Sequence, residues 1–269
     1  MTQIVAALFY IISGSINAGS ANAVSTYYLR SNDTLLLTAQ SVSAEKNNWY
    51  MILPVKKNYE ITSEYSNKCI LYTSVPLRVQ NNRINVSDYA KSYGTYYFAC
   101  IPYDSVLPDT FSQIEPLNLK FTNRIVQVVI RRDDSYLGYL TEMFNAPFVL
   151  PPVNISPYGH QTDLRIGCDC AELAIYGKRR QGYKIPYCGP MNIYKYLDTI
   201  YDNKIFAGCI IHFGDQVSVV YKDNGIPGTL DKDDLLIQSY TEGVEIVSWE
   251  KSKFYLRKYI PFKWKEEYE

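Results

Sequence analysis

The sequence predicts an α+β protein in which an all-β segment is followed by a segment whose helices precede an antiparallel sheet. Short β-branched and aromatic runs fill the first half of the chain. A helical stripe of apolar residues begins at Cys170, and four strand-like runs follow it. The 26 Tyr residues also favour strands over a helical bundle. We expect three parts: a signal peptide at 1–23, a β-rich accessory domain at 24–130 and an α+β domain at 131–269.

The N-terminal segment has the pattern of a secretory signal. Residues 1–23 contain no charged side chain, an apolar run covers 4–12, and 21–23 match the small-x-small cleavage pattern. The run is shorter than the roughly 20 apolar residues that span a bilayer. No Lys or Arg precedes it, so a buried first strand is the alternative interpretation. We expect an exported protein, periplasmic or extracellular, with no transmembrane span in the mature chain.

The β-rich segment runs from Tyr27 to about Gln127. Short runs of residue types that are typical of strands lie at 34–38, 49–53, 70–73 and 96–99. Clusters of Asn, Asp, Ser and Lys separate these runs. Runs of this length and spacing predict an antiparallel sandwich or barrel, which residues 125–130 would close. The segment contains no catalytic constellation, so its expected work is accessory or ligand-binding.

Helical signals open the C-terminal segment. The pattern predicts one helix at 135–144 and a second from Cys170, whose apolar residues recur at the i, i+3, i+4 and i+7 positions. Asp169 is placed to cap the second helix, the basic triplet 178–180 suits its last turn, and Gly182 its end. A further helix is predicted at 190–198. Strands are predicted at 207–213, 216–221, 235–240 and 244–249, with Gly214-Asp215 as a tight turn.

This order of elements suits a cysteine hydrolase. Backbone N–H groups and the helix dipole stabilise a thiolate in the first turn of a helix, which predicts a pKa for Cys170 below the usual value of about 8.5. A hydrolase also needs an imidazole to take the thiol proton and a polar group to orient it. The downstream strands offer His212, Gln216 and Gln238. The alternative is that Cys170 is a small buried residue and His212 a core residue, both without a catalytic role.

The stretch from about 136 to 249 resembles the NlpC-type peptidoglycan peptidases, a papain-like family. The matching runs are Ala146-Pro147-Phe148, Cys168-Asp169-Cys170-Ala171-Glu172, Gly208-Cys209-Ile210-Ile211-His212-Phe213, Gln216-Val217-Ser218-Val219-Val220-Tyr221 and Leu236-Ile237-Gln238-Ser239. The resemblance implies a papain-like cysteine-hydrolase domain that cleaves amide bonds of peptidoglycan stem peptides. It implies Cys170 as nucleophile, Gln238 as orienting residue and Asp169 as a ligand of the substrate amine. It also suggests substrate contacts at Gln216, Phe148 and Ser239.

The chain departs from this family at the base. Gln216 stands where the family has His, and Gln cannot accept and return a proton. His212 on the preceding strand is the first candidate base. If Gly214-Asp215 is a strict two-residue turn, His212 pairs with Val217 and faces away from Gln216. If a bulge pairs His212 with Gln216, both face the same way. His160, in the loop before Cys170, is the second candidate base.

The sequence gives weaker signals for a metal site or a disulfide among the cysteines than for a cysteine hydrolase. Cys168, Cys170, Cys188, Cys209 and His212 fit no common zinc spacing, so we predict no metal and no cofactor. Cys69 and Cys100 are the first pair to check for a disulfide.

Three functions follow from these patterns. The first is an exported cysteine hydrolase acting on peptidoglycan peptides, with Cys170, His212 and Gln238 as catalytic residues. The second is a catalytically inactive relative whose cleft binds wall peptides or a partner. The third is a Tyr-rich β module that binds glycans. The balance of 27 Lys and Arg against 27 Asp and Glu argues against a nucleic-acid partner.

Overall fold

The computed structural model of the protein describes residues 4–11, 25–41, 47–55, 58–60, 71–79, 83–102, 106–107, 110–112, 125–155, 159–202 and 204–268. The fold is α+β, mostly sheet with few helices, as the sequence predicts. Residue contacts divide the chain into two compact units, 1–55 with 62–132 and 56–61 with 133–269. Cys69 lies outside the described residues, so its disulfide stays a prediction.

The described residues before 132 form ten strands. They are β1 (Ile4–Ile11), β2 (Ser25–Arg30), β3 (Thr34–Ser41), β4 (Asn47–Pro54), β5 (Asn58–Glu60), β6 (Leu71–Leu77), β7 (Arg83–Asn85), β8 (Gly94–Pro102), β9 (Thr110–Ser112) and β10 (Ile125–Arg131). One sheet has the order β1-β3-β7 and the other β2-β10-β8-β4-β6-β9. Their apolar side chains share one core, which includes Leu35 and Ile84 from the first sheet and Phe98 and Val128 from the second.

Two features of the first unit differ from expectation. The pairs β1–β3 and β2–β10 are parallel rather than antiparallel. Parallel neighbours need crossover connections, which a series of hairpins does not provide. Strand β1 covers the N-terminal apolar run, which the sequence allows to be either a signal peptide or a first strand. Because the structure does not test export, export stays a prediction.

The second unit begins with short elements. They are α1 (Tyr136–Leu140) with a 3₁₀ turn at Thr141–Met143, β11 (Phe148–Leu150), β12 (Asn154–Ile155), β13 (Gly159–His160), α2 (Gln161–Leu164), α3 (Cys170–Arg180), and α4 (Pro190–Ile193) with a 3₁₀ turn at Tyr194–Tyr196. The helix predicted at 190–198 is shorter because Leu197 enters a strand and is buried there. Strand β5 pairs in parallel with β11, so residues 58–60 belong with this unit although they precede it in sequence.

A six-stranded antiparallel sheet completes the second unit. Its strands are β14 (Leu197–Thr199), β15 (Ile210–His212), β16 (Val217–Lys222), β17 (Leu235–Tyr240), β18 (Gly243–Ser248) and β19 (Ile260–Trp264), in the order β14-β19-β15-β16-β17-β18. Helix α3 packs on β16 and β17, and its core includes Val217, Val219 and Ile237. A second core with Val220, Leu236 and Trp249 covers the other face. No helix among the described residues is long and apolar enough to cross a membrane.

Candidate functional site

The candidate site lies at the start of α3, where the sequence predicts it. Asp169 is the N-cap residue, and its side chain accepts a hydrogen bond from the Glu172 backbone N–H at 2.8 Å. Cys170 is the first residue of the helix and is 5% exposed. The Lys178-Arg179-Arg180 triplet lies in the last turn. Helix, cap and basic end are therefore confirmed.

The electrostatic prediction for Cys170 is wrong. Burial raises the pKa of its thiol, and the charge of Asp169 raises it further. The backbone N–H groups of Val217 and Ala171 lower it, but by less than burial raises it. A dipole at a helix start stabilises a thiolate only by a modest amount, whereas removing an anion from water is costly. The thiol form of Cys170 is therefore favoured near neutral pH.

The strand register places His212 beside Val217. The two residues are paired across β15 and β16, and the Phe213 N–H donates to the Gln216 carbonyl at 2.8 Å. The Gly214-Asp215 turn is thus the strict two-residue form. Of the two registers that the sequence allows, this is the one in which His212 and Gln216 point to opposite faces.

Both ring nitrogens of His212 are bonded to groups other than Cys170. Nε2 lies 2.9 Å from the Pro190 carbonyl oxygen, and Nδ1 accepts from the Gly214 N–H at 2.9 Å. The Tyr194 hydroxyl is 2.8 Å from Nδ1, and the Tyr194 ring stacks on the imidazole at 4.2 Å. These partners fit a neutral ring with its proton on Nε2. Burial lowers the pKa of His212, which also favours the neutral form.

Gln238 does not orient His212 in this structure. Ile237 packs in the core under α3, so Gln238, one residue on in β17, points to the opposite face of the sheet. There its amide accepts from Ser218 Oγ at 3.1 Å and donates to Glu245 at 3.0 Å. The predicted arrangement of Cys170, His212 and Gln238 is not assembled, because strand alternation separates its members.

The three predicted substrate contacts apart from Asp169 are buried. The Gln216 amide donates to the Ser239 carbonyl at 3.2 Å. The Ser239 hydroxyl donates to the Cys168 carbonyl at 2.9 Å, with the Cys168 thiol 3.5 Å from Ser239 Oγ. Phe148 is 5% exposed and packs edge-to-face against Tyr240 at 6.1 Å. These contacts join β11, β16 and β17 to the start of α3.

Two buried carboxyl groups lie on the first turn of α3. Burial raises the pKa of Asp169 to about 6. The pKa of Glu172 is raised to about 9, first by burial and then by the charge of Asp169. Glu172 accepts a short hydrogen bond from the Thr162 hydroxyl. The helix start thus presents carboxyl groups that lack enough positive charge to ionise fully at neutral pH.

His160 lies against this carboxyl pair. Its Nδ1 is 3.6 Å from Glu172 Oε2 and accepts from the Thr162 N–H at 3.3 Å. The imidazole stacks on Tyr187 at 4.5 Å, and burial lowers its pKa. Among the described residues, Nε2 of His160 has no hydrogen-bond partner. The loop does fold back on α3, as the second candidate for the base requires.

Cys188 completes the neighbourhood of the carboxyl pair. It is half-buried, and burial together with the charges of Asp169 and Glu172 raises its pKa to about 11. Cys209 lies in the core on the other face of the sheet. No group of three or more His, Cys, Asp and Glu in the described part of the chain is arranged to hold a metal.

Three residues at these sites, Glu172, Tyr187 and Tyr194, have no role predicted from the sequence. Glu172 had a signal, because a carboxyl three residues after an Asp cap lies on the same turn of the helix. The two tyrosines had no such signal, because the histidine that each one stacks on lies far from it in the sequence. No family model matches the chain, and no curated protein matches it.

Proposed function

We propose that the second unit is a divergent papain-like domain of the NlpC type that binds peptidoglycan peptides without hydrolysing them. The observation that carries the proposal is that both nitrogens of His212 are bonded to groups other than Cys170. Burial, which raises the pKa of the Cys170 thiol, points the same way. A cysteine hydrolase needs a thiolate and an imidazole that exchange a proton. Gln216, at the position of the family base, cannot replace that imidazole.

The papain-like part of the proposal is supported by the order and packing of the elements. A cysteine begins α3, this helix packs on β16 and β17, and the sheet that follows it in sequence is antiparallel. Val217, the residue after Gln216, has its backbone N–H near the Cys170 thiol. That neighbour is expected if Gln216 stands in the place of the family histidine.

The ligand class is supported by the two carboxyl groups of α3. Peptidoglycan stem peptides carry free amines, and an ammonium group would supply the positive charge that Asp169 and Glu172 lack. Binding of such a cation lowers the pKa of both carboxyl groups and releases protons. The half-buried Cys188 and His160 border the pair and are the expected contacts for the rest of the peptide. Export, expected from residues 1–23, would bring the domain to this ligand.

The test is calorimetric titration with a stem tripeptide of alanine, D-glutamate and diaminopimelate. We expect saturable binding that weakens at least about tenfold when the α-amine is acetylated, because a charged hydrogen bond is lost. Asp169→Asn should weaken binding to a similar extent, since Asn keeps the helix cap but not the charge. Binding should strengthen from pH 5 to pH 7, as Asp169 ionises through its pKa of about 6. Equal binding of the free and acetylated peptides would overturn the proposal.

Hydrolysis is the second candidate, and the position of His160 beside α3 favours it. Mass spectrometry of the tripeptide after incubation with the wild type, Cys170→Ala and His160→Ala separates the two functions. Cleavage by the wild type that both variants lose would establish the hydrolase and end the binding-only proposal. We expect no cleavage by any of the three. Iodoacetamide should then label Cys188 before Cys170, because Cys188 is more exposed and its thiol is less perturbed.

A further inference from the structure

The first unit contains a cavity of about 410 Å³. Its lining comes from the ends of β2 and β10, from β3 and from residues 86–93. Small-molecule sites in proteins usually enclose roughly 300 to 1,000 Å³. The cavity is therefore large enough for a small ligand, and its described lining residues all belong to the first unit.

The floor of the cavity is apolar and continuous with the core between the two sheets. Five of its residues belong to that core: Leu29, Leu35, Val86, Ala90 and Ile130. Leu29 and Ile130 come from one sheet and Leu35 from the other. The cavity thus lies where the inter-sheet core reaches the surface. A ligand that enters here places its apolar part against aliphatic side chains from both sheets.

The described residues on the rim of the cavity are polar. Among them are two cations, Arg30 and Lys91, and one anion, Asp33. One oxygen of the Asp33 carboxylate already accepts from the Arg30 backbone N–H at 2.8 Å. Within the described part of the chain, Lys91 Nζ donates one hydrogen bond, to the Ser87 carbonyl at 3.0 Å, and an ammonium has three N–H groups. The Ser31 hydroxyl lies on the same rim.

We propose that this cavity binds an amphipathic anion: an alkyl chain that enters the inter-sheet core and a single carboxylate or phosphate that meets Lys91 and Arg30. An apolar floor favours burial of hydrocarbon. The two cations and one acid among the described rim residues favour an anionic head over a neutral or cationic one. Polar groups placed at the mouth of an apolar pocket fix which end of the ligand faces water. The site is independent of the peptide-binding proposal for α3.

Calorimetric titration of the full chain at pH 7.5 with four ten-carbon probes tests the proposal. The probes are decanoate, decyl phosphate, 1-decanol and decyltrimethylammonium, all below their micellar concentrations. We expect one saturable site for the two anions, with a negative heat-capacity change from the buried chain, and weaker binding of the alcohol and the cation. The stronger of the two anions identifies the natural head group. Equal affinity for decanoate and decyltrimethylammonium would overturn the proposal.

Charge reversal at the rim adds a test that misfolding cannot imitate. Lys91→Glu should weaken decanoate binding roughly fivefold, as expected for a solvent-exposed charge, and should strengthen decyltrimethylammonium binding. The matched control is Arg83→Glu, because Arg83 is also exposed and does not line the cavity. Decanoate should in addition shift the methyl resonances of Leu35 and Ala90. Identical responses of the two charge-reversal variants, or unshifted methyls at saturation, would show that decanoate binds elsewhere.

Discussion

His212 and His160 each stack on a tyrosine, but their ring nitrogens are held differently. His212 stacks on Tyr194 at 4.2 Å and has partners on both nitrogens, among them the backbone of Pro190 and Gly214. His160 stacks on Tyr187 at 4.5 Å, has one weak acceptor contact at Nδ1, and lies 3.6 Å from Glu172. Backbone partners on both sides fix one neutral form of an imidazole. For His160, a carboxyl neighbour and a ring nitrogen with no hydrogen-bond partner among the described residues leave the protonation of the ring open to change.

The difference shows that position in sequence is a poor guide to the role of a histidine. His212 lies on β15, the neighbour of strand β16 on which the cysteine helix packs, yet its bonds are those of a structural residue. His160 comes from a loop, yet it borders the buried carboxyl groups of α3. Substitutions at Glu172, at the two histidines and at the two tyrosines should change the free energy of unfolding by different amounts, which tests the difference between the two sites.

We expect the largest effect from Glu172→Gln, on the pH dependence of the free energy of unfolding. The pKa of Glu172 is about 9 in the folded protein and about 4.3 in an unfolded chain. Between these values the unfolded state loses a proton that the folded state keeps, so the free energy of unfolding falls as pH rises. The maximum slope is on the order of 1.4 kcal/mol per pH unit. Urea denaturation from pH 5 to pH 8 should show this fall in the wild type and a flatter profile in the variant.

Glu250→Gln is the matched control, because Glu250 is exposed and its substitution removes the same charge. It should leave the wild-type pH profile in place. If Glu172→Gln and Glu250→Gln have the same profile, Glu172 is ionised in the folded protein. In that case the carboxyl pair would already carry two charges and would bind an amine without releasing protons.

A smaller effect is expected from replacing the histidines. His212→Ala removes a buried imidazole and its hydrogen bonds to the half-buried Pro190 carbonyl and the exposed Gly214 N–H, which should cost about 2 kcal/mol of unfolding free energy. His160→Ala removes one weak hydrogen bond and a stacked ring, and should cost about 1 kcal/mol. Urea denaturation at pH 6 measures both. Equal losses would contradict the assignment of a structural role to His212 alone.

Local patterns predicted the elements of the second unit well. The i, i+3, i+4, i+7 stripe, the Asp169 cap and the Gly214-Asp215 turn each depend on residues close in sequence, and each is present. The α+β class follows from the order of these elements. The parallel strand pairs of the first unit were missed, because strand patterns carry no information about the direction of a distant partner.

The candidate site was predicted only in part, for a physical reason. Cys170 and Asp169 lie where expected, because a helix start is a local feature. The protonation of Cys170 depends on burial, which no local pattern reports. Successive residues of a strand point to opposite faces of the sheet. Ser239 of β17 bonds to Cys168 near the start of α3, so its neighbour Gln238 points away from the site.

The smallest effect is expected from removing the two tyrosine hydroxyls. Tyr187→Phe keeps the ring against His160 but loses a 2.7 Å hydrogen bond to the Asp163 carboxylate, which should cost about 1 kcal/mol of unfolding free energy. Tyr194→Phe should cost less, because Nδ1 of His212 keeps its bond to the Gly214 N–H. Urea denaturation ranks the two variants, and proton NMR follows the imidazole resonances. A larger loss for Tyr194→Phe would mean that the hydroxyl, and not the Gly214 backbone, holds His212 in its neutral form.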